Sequence, residues 1–186
     1  MSSKETEYRG YSYRWLILAL FCSLELTNNI LWVTFAPISD IVSNYFGGGY
    51  YGSTTSVNML ANIYLIFYLP GTGLSIFLMK YFNLKRSLEI CGFLTMFGAM
   101  LRFIAASQKN EWGIANTYII MLLGQTFAAL GQPMFLNSPP AVASIWFPVE
   151  EREMATTIGS MFAPIGSAVG QIIPFLLVEQ SSRNGE

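Results

Sequence analysis

Between Gly124 and Pro174 the chain alternates apolar runs with helix-breaking punctuation. Gly124-Gln125, Gly131-Gln132-Pro133, Pro139-Pro140 and Trp146-Phe147-Pro148 are followed by Pro164-Ile165-Gly166 and Gly170. In water a helix with that much Pro and Gly breaks. In a bilayer it survives, because neighbouring helices and side chains re-satisfy the freed backbone groups. Gly/Pro-interrupted apolar segments are also the best sequence pointer to a transporter's substrate path.

Composition points the same way. The chain is 53% hydrophobic and only 11% charged, against about a quarter charged in soluble domains. A formal charge of -1 and the lack of a basic run give no footing for nucleic acid. Histidine is absent, so His-centred catalysis and His metal sites are excluded. Cys22 and Cys91 lie in separate apolar runs and read as inert packing residues rather than a disulfide or metal pair. No nucleophile–base pair appears, so an enzyme is not expected, and neither is a cofactor.

Apolar runs long enough to cross ~30 Å of hydrocarbon predict five helices, over 15–38, 57–79, 87–107, 117–146 and 154–178. A tail over 1–14 and a polar end over 179–186 flank them. The fold class is an all-α membrane protein, a multi-pass bundle in a lipid bilayer. Lys4, Arg9, Arg14, Lys80, Lys85, Arg86 and Arg152 fall on one side, with only Lys109 and Arg183 on the other. The positive-inside rule therefore predicts a cytoplasmic N-terminus. The Gly47–Gly52 loop then faces outward as a flexible connector.

Several polar residues lie inside these runs. Glu25, Asn28, Asn29 and Trp32 share one face of the first helix. An ionisable group at mid-bilayer costs at least ~2.5 kcal/mol, which favours a cavity-facing carboxylate for Glu25. Asn28 and Asn29 read first as interhelical glue, worth about 0.6 kcal/mol per bond. Trp32, ~8 Å from the span's centre by helical rise, is either a belt tryptophan or an aromatic wall for a quaternary ammonium. Gln125 and Gln132 share a face of the fourth helix; Gln125 reads as glue, as do Asn58 and Asn62 in the second. Arg102 is expected to snorkel. Glu150 and Glu151 after Pro148 mark a helix start, with Arg152 paired in the adjoining loop. Pro164, Gly166 and Gly170 would let the fifth helix pack closely and bend, as a rocking bundle needs.

Together, Gly131-Gln132-Pro133, Asn137-Ser138-Pro139-Pro140, Trp146-Phe147-Pro148, Glu151-Arg152, Ile158-Gly159 and Pro164-Ile165-Gly166 resemble helices four and five of the feline leukaemia virus subgroup C receptor-related family. That family is a branch of the major facilitator superfamily. Tyr13-Arg14-Trp15, Asn28, Trp32 and Phe35-Ala36-Pro37-Ile38-Ser39-Asp40 extend the likeness to helix one. The resemblance implies helices one to five of an N-terminal bundle, completed by a C-terminal bundle outside this chain. It implies alternating access and facilitative transport of small organic cations such as choline or ethanolamine, with haem or a vitamin-like solute as the other attributed substrates. It makes Trp32 a choline-cage aromatic and Gln132 a substrate contact; Glu25, by its membrane cost, and Asn28, on the same helix face, join them as candidate substrate-binding residues. Lys80 stands where the superfamily's loop signature carries Asp, and the fourth helix lacks the Arg of proton-coupled members. The rival reading, from another class, is a short non-transporting membrane protein that binds and regulates a full-length relative.

Overall fold

The computed structural model describes residues 12–47 and 49–183, and the side chains of residues 109, 110 and 178–183 are outside that description. Most of the expected tail over 1–14, and the last residues of the expected polar end, therefore lie outside the described residues. Seven helices follow one another among the described residues: α1 Tyr13–Val33, α2 Ser39–Tyr45, α3 Thr54–Tyr81, α4 Leu84–Ser107, α5 Lys109–Asn137, α6 Pro139–Trp146 and α7 Val149–Arg183. Five of them are long and apolar enough to cross a membrane, with Glu111–Asn137 as the relevant part of α5 and Val149–Leu177 as that of α7. The protein is an all-α, multi-pass integral membrane protein.

Two apolar runs are broken where a single span was expected. The run to Ile38 leaves the helix at Val33: Ala36 N donates to the Val33 carbonyl in a tight turn before Pro37, because a residue preceding proline is pushed out of the α region. The run from Thr117 to Trp146 is α5 plus α6, divided at Ser138. Pro139 and Pro140 supply no N–H, so the break costs no extra donor, and proline at the first helical positions is preorganised for α6. By contrast Pro70, Pro133, Pro164 and Pro174 sit inside helices, and the kink in α5 falls instead at Gly113 (φ 76°). The other ends are defined locally. Ser53 caps α3 by accepting from Ser56 N, and Glu150 and Glu151 occupy the first turn of α7, against its positive dipole end.

α5 is the axis of the bundle, with α4, α3 and α1 packed on it, while α7 packs on α1. Lipid is as apolar as leucine, so such contacts depend on close approach rather than water exclusion. Glycines supply it. An added Cβ at Gly166 of α7 would stand 2.6 Å from the Leu26 carbonyl of α1, and one at Gly170 2.7 Å from the Val33 side chain. Gly98 and Gly124 put the α4 and α5 backbones against each other, and Gly131 lies against the Cys91 carbonyl. The connector at 47–52 is tied down where described: Ser43 Oγ donates to the Gly52 carbonyl, and Ser56 Oγ donates to the Tyr50 carbonyl at 2.7 Å.

At the end where α1 begins, Arg14 pairs with Glu151 (2.7 Å) and lies over the Phe147 ring. Arg152 instead donates its Nε to the Phe147 carbonyl. The Glu151 side of this loop, not Arg152, therefore carries the ion pair to α1. Gly166→Val should lower the unfolding midpoint in mixed micelles, by roughly 1–3 kcal/mol, the usual cost of overpacking. Gly73→Ala, where an added Cβ meets nothing within 4 Å, should be neutral or slightly stabilising. Equal effects at both sites would contradict the close-approach account.

Candidate substrate-binding site

Position along α1 decides where each of its polar side chains goes. Asn28, fully buried, points into the α4–α5 seam: its Nδ2 donates to Thr95 Oγ1 and to the Ala128 carbonyl, both at 3.0 Å. Thr95 in turn donates to the Cys91 carbonyl. Asn29 is one residue on and faces α7, beside Gly166, with its Nδ2 bonded to the Glu25 carbonyl of its own helix. The two asparagines are interhelical and intrahelical glue respectively. Asn58 and Asn62, expected as glue, are exposed.

The Asn28–Ala128 bond sets the register of the antiparallel pair α1 and α5. Gln132 lies one turn beyond Ala128, about 6 Å toward the end where α1 begins, and Glu25 lies about 4.5 Å from Asn28 in the same direction. Glu25 and Gln132 thus occupy one depth. Both are buried, at 1% and 3% exposure. The expected cavity-facing carboxylate is therefore enclosed by protein in this structure. Trp32 lies one turn from Asn28 in the opposite direction, its ring leaning back over the preceding turn as helical side chains do. It is half-buried, packed with Ile63, Tyr64, Ala128 and Ala129, and stacked on Tyr64 at 6.1 Å between centroids and 27° between planes.

Four buried polar atoms in this region have no hydrogen-bond partner: Glu25 Oε2, Asn28 Oδ1, Tyr64 Oη and Gln132 Nε2. Each such atom costs about 1–3 kcal/mol when left unpaired. They come from α1, α3 and α5, and comprise acceptors, a donor and a hydroxyl. A ligand with a cationic end and a hydroxyl or amine end has complementary chemistry. Tyr64 was not legible as a site residue from sequence; its one signal was a phenol, with Tyr68 one turn on, inside an otherwise apolar stretch of α3.

On the far side from the Arg14 end, Arg102 of α4 turns inward rather than snorkelling. Its Nη1 donates to the Leu31 carbonyl and to Gln125 Oε1, both at 3.0 Å, and its guanidinium lies 4.5 Å from the Phe35 ring centroid. Gln125 Nε2 passes the link on to the Leu60 carbonyl. The reason is local: α1 ends at Val33, so the Leu31 carbonyl is among the last four of the helix, which lack intrahelical donors. A planar fork fills that role and stacks on an aromatic at once. Arg102 and Gln125 together thereby join α1, α3, α4 and α5 next to the Trp32–Tyr64 pair. A groove lies elsewhere, between α1, α4 and α6, and neither Trp32 nor Gln132 lines it.

With this geometry in hand, the family is clear. The Major Facilitator Superfamily model matches residues 12–183, and the chain belongs to that superfamily of membrane transporters. Among its relatives, Solute carrier family 49 member A3 of Xenopus tropicalis is 34% identical over 90% of this chain and 34% of its own length. Choline/ethanolamine transporter flvcr2b of Danio rerio is 27% identical over 92% of the chain and 33% of its own length. Choline/ethanolamine transporter flvcr2a of the same fish is 27% identical over 99% of the chain and 37% of its own length. The chain spans about a third of the length of these curated relatives.

Arg102→Met should destabilise the bundle by roughly 1–3 kcal/mol, because Gln125 Oε1 and the Leu31 carbonyl lose their donor. Adding Gln125→Leu should recover part of that loss in a double-mutant cycle on the unfolding midpoint. Strict additivity would show that the two side chains are not coupled.

Proposed function

We propose that this chain forms the N-terminal part of a facilitative carrier that moves small organic cations, choline or ethanolamine first, by alternating access. The observation that carries the reading is the half-buried Trp32 stacked on Tyr64, next to buried polar atoms that lack partners. An indole face attracts a quaternary ammonium by ~0.5–2 kcal/mol, most when water is excluded. Glu25 supplies a carboxyl group further along the same helix, and Gln132 an uncharged amide that can orient a hydroxyl without the desolvation cost of an ion. The Cα atoms of Trp32 and Gln132 differ in depth by about two helical turns, roughly 11 Å. On antiparallel helices the two side chains lean toward each other, which shortens that gap for a small ligand with its ammonium at the aromatic pair and its hydroxyl or amine toward Gln132. The relatives named as choline/ethanolamine transporters support the same substrate class.

In this reading the N-terminus is cytoplasmic, the side that carries Arg14, Lys80, Lys85, Arg86 and Arg152. The five helices move as one body against a C-terminal bundle. Gly166 and Gly170 hold α7 to α1, Pro164 gives α7 its compliance, and Arg152 with the Arg14–Glu151 pair steadies the cytoplasmic end. Uptake of radiolabelled choline by cells producing the chain in a full-length context, with a C-terminal bundle, is the test. Trp32→Ala should reduce apparent affinity more than Trp32→Phe, since phenylalanine keeps a weaker π face. Equal loss in the two variants, at equal surface abundance, would assign Trp32 to packing.

A further inference from the structure

Arg102 is a half-buried cation in a membrane helix, and its charge has no acidic partner. Neither of the two ion pairs among the described residues includes it. Glu25, the carboxyl of α1, lies six residues before Leu31, about 9 Å away along the axis. The neighbours of the guanidinium are instead the Leu31 carbonyl, Gln125 Oε1 and the Phe35 ring. Charges withdrawn from water are ordinarily kept beside an opposite charge, because neutral dipoles offset only part of the lost hydration.

The guanidinium is also only partly used. It carries five N–H donors in a planar fork. Nη1 directs its own two at the Leu31 carbonyl and Gln125 Oε1, and the edge formed by Nε and Nη2 has no acceptor among the described residues. That edge presents two parallel N–H bonds, the geometry that takes a carboxylate bidentately. A further donor lies close by, since Tyr64 Oη is buried and has no partner. Helical side chains lean toward the start of their helix, so Tyr64 reaches back toward Leu60. The Leu60 carbonyl takes the Gln125 amide, and Gln125 is held by Arg102. The Tyr64 ring stacks on Trp32, which directly follows Leu31, the residue whose carbonyl Arg102 holds. Rings that attract an ammonium and an unused guanidinium edge are thus neighbours. A bare cation at the rings meets repulsion from Arg102, whereas a ligand with a carboxylate beside its ammonium turns that repulsion into attraction.

We propose that the Nε–Nη2 edge of Arg102 and Tyr64 Oη form a carboxylate subsite beside the Trp32–Tyr64 pair, so that the site takes an ammonium carboxylate of the betaine class. The proposal rests on the reading of the aromatic pair as an ammonium site and adds the second group of the ligand. The ammonium lies against the Trp32 face. The carboxylate accepts from the two guanidinium N–H bonds and from the phenol. In such a zwitterion a single methylene separates the two groups, which suits adjoining side chains.

Calorimetric titration of the chain in nanodiscs with four ligands of one shape separates the two charges. Glycine betaine carries both, choline the ammonium alone, 3,3-dimethylbutyrate the carboxylate alone and 3,3-dimethylbutanol neither. Each carboxylate is expected to bind at least about tenfold more tightly than the matching alcohol, as a charge-assisted bidentate pair gives. That preference should vanish in the double variant Arg102→Met, Gln125→Leu. It should shrink several-fold in Tyr64→Phe, which keeps the ring and its stacking. Carboxylates that bind no better than their alcohols would overturn the proposal, as would a preference that survives the loss of Arg102. In either case, choline binding more tightly than dimethylbutanol leaves the ammonium reading standing. If the carboxylates win but the charge on nitrogen makes no difference, the subsite stands and the ammonium reading falls. Circular dichroism checks that the variants fold. If the Arg102 variant does not, Tyr64→Phe, which leaves the Arg102–Gln125 bond in place, decides by the same comparison.

Discussion

Everything in this bundle depends on how closely helices approach in a solvent that gives them no reason to associate. Lipid solvates leucine as well as protein does, so contact must come from backbone proximity and interhelical hydrogen bonds. Gly98 and Gly124 bring α4 and α5 together, Gly71 brings α3 onto α5, and Gly166 and Gly170 bring α7 onto α1. Once the backbones are that near, side chains of moderate size in the seams have nowhere to go but inward. Asn28, Thr95, Gln125 and Arg102 are held in that way, and their bonds fix the register of α1 against α4 and α5.

The polar interior divides into two parts with different energetics. Arg102, Gln125 and the Leu31 and Leu60 carbonyls are matched across four helices beside the Trp32–Tyr64 pair. Around Glu25 and Gln132 they are not matched. Unpaired buried polar atoms are kept where a ligand, an ion or a moving element completes them, since otherwise they only reduce stability. The proposed binding site rests on this contrast, a matched frame next to an unmatched patch.

Much of the fold was legible in hydropathy and punctuation, and what was not has physical causes. Five long apolar runs suffice to give five membrane helices because the hydrocarbon thickness sets a length no soluble core imposes. The broken run at Ser138 needed the specific chemistry of two successive prolines, which hydropathy does not register. Asn28 and Asn29 looked equivalent because helical periodicity places them on one broad face; the difference of one residue sends one to α5 and the other to α7, and only neighbours decide that. Arg102 looked like a snorkelling residue from its place near a helix end. It turns inward because the early end of α1 leaves the Leu31 carbonyl unbonded, a fact about another helix. The stacking of Tyr64 was hidden for a similar reason: its partner, Trp32, belongs to α1.

The central claim is that Trp32 meets the positive charge of a small organic cation. With Trp15, Trp112 and Trp146 replaced by phenylalanine, Trp32 is the sole indole reporter. Its fluorescence is then titrated in nanodiscs with choline and with 3,3-dimethylbutanol, which has nearly the same shape and no charge. The account predicts a saturable response to choline, with the neutral analogue weaker by roughly 2- to 30-fold, the equivalent of ~0.5–2 kcal/mol of cation–π attraction. An equal response to both molecules, or none to choline, would contradict it.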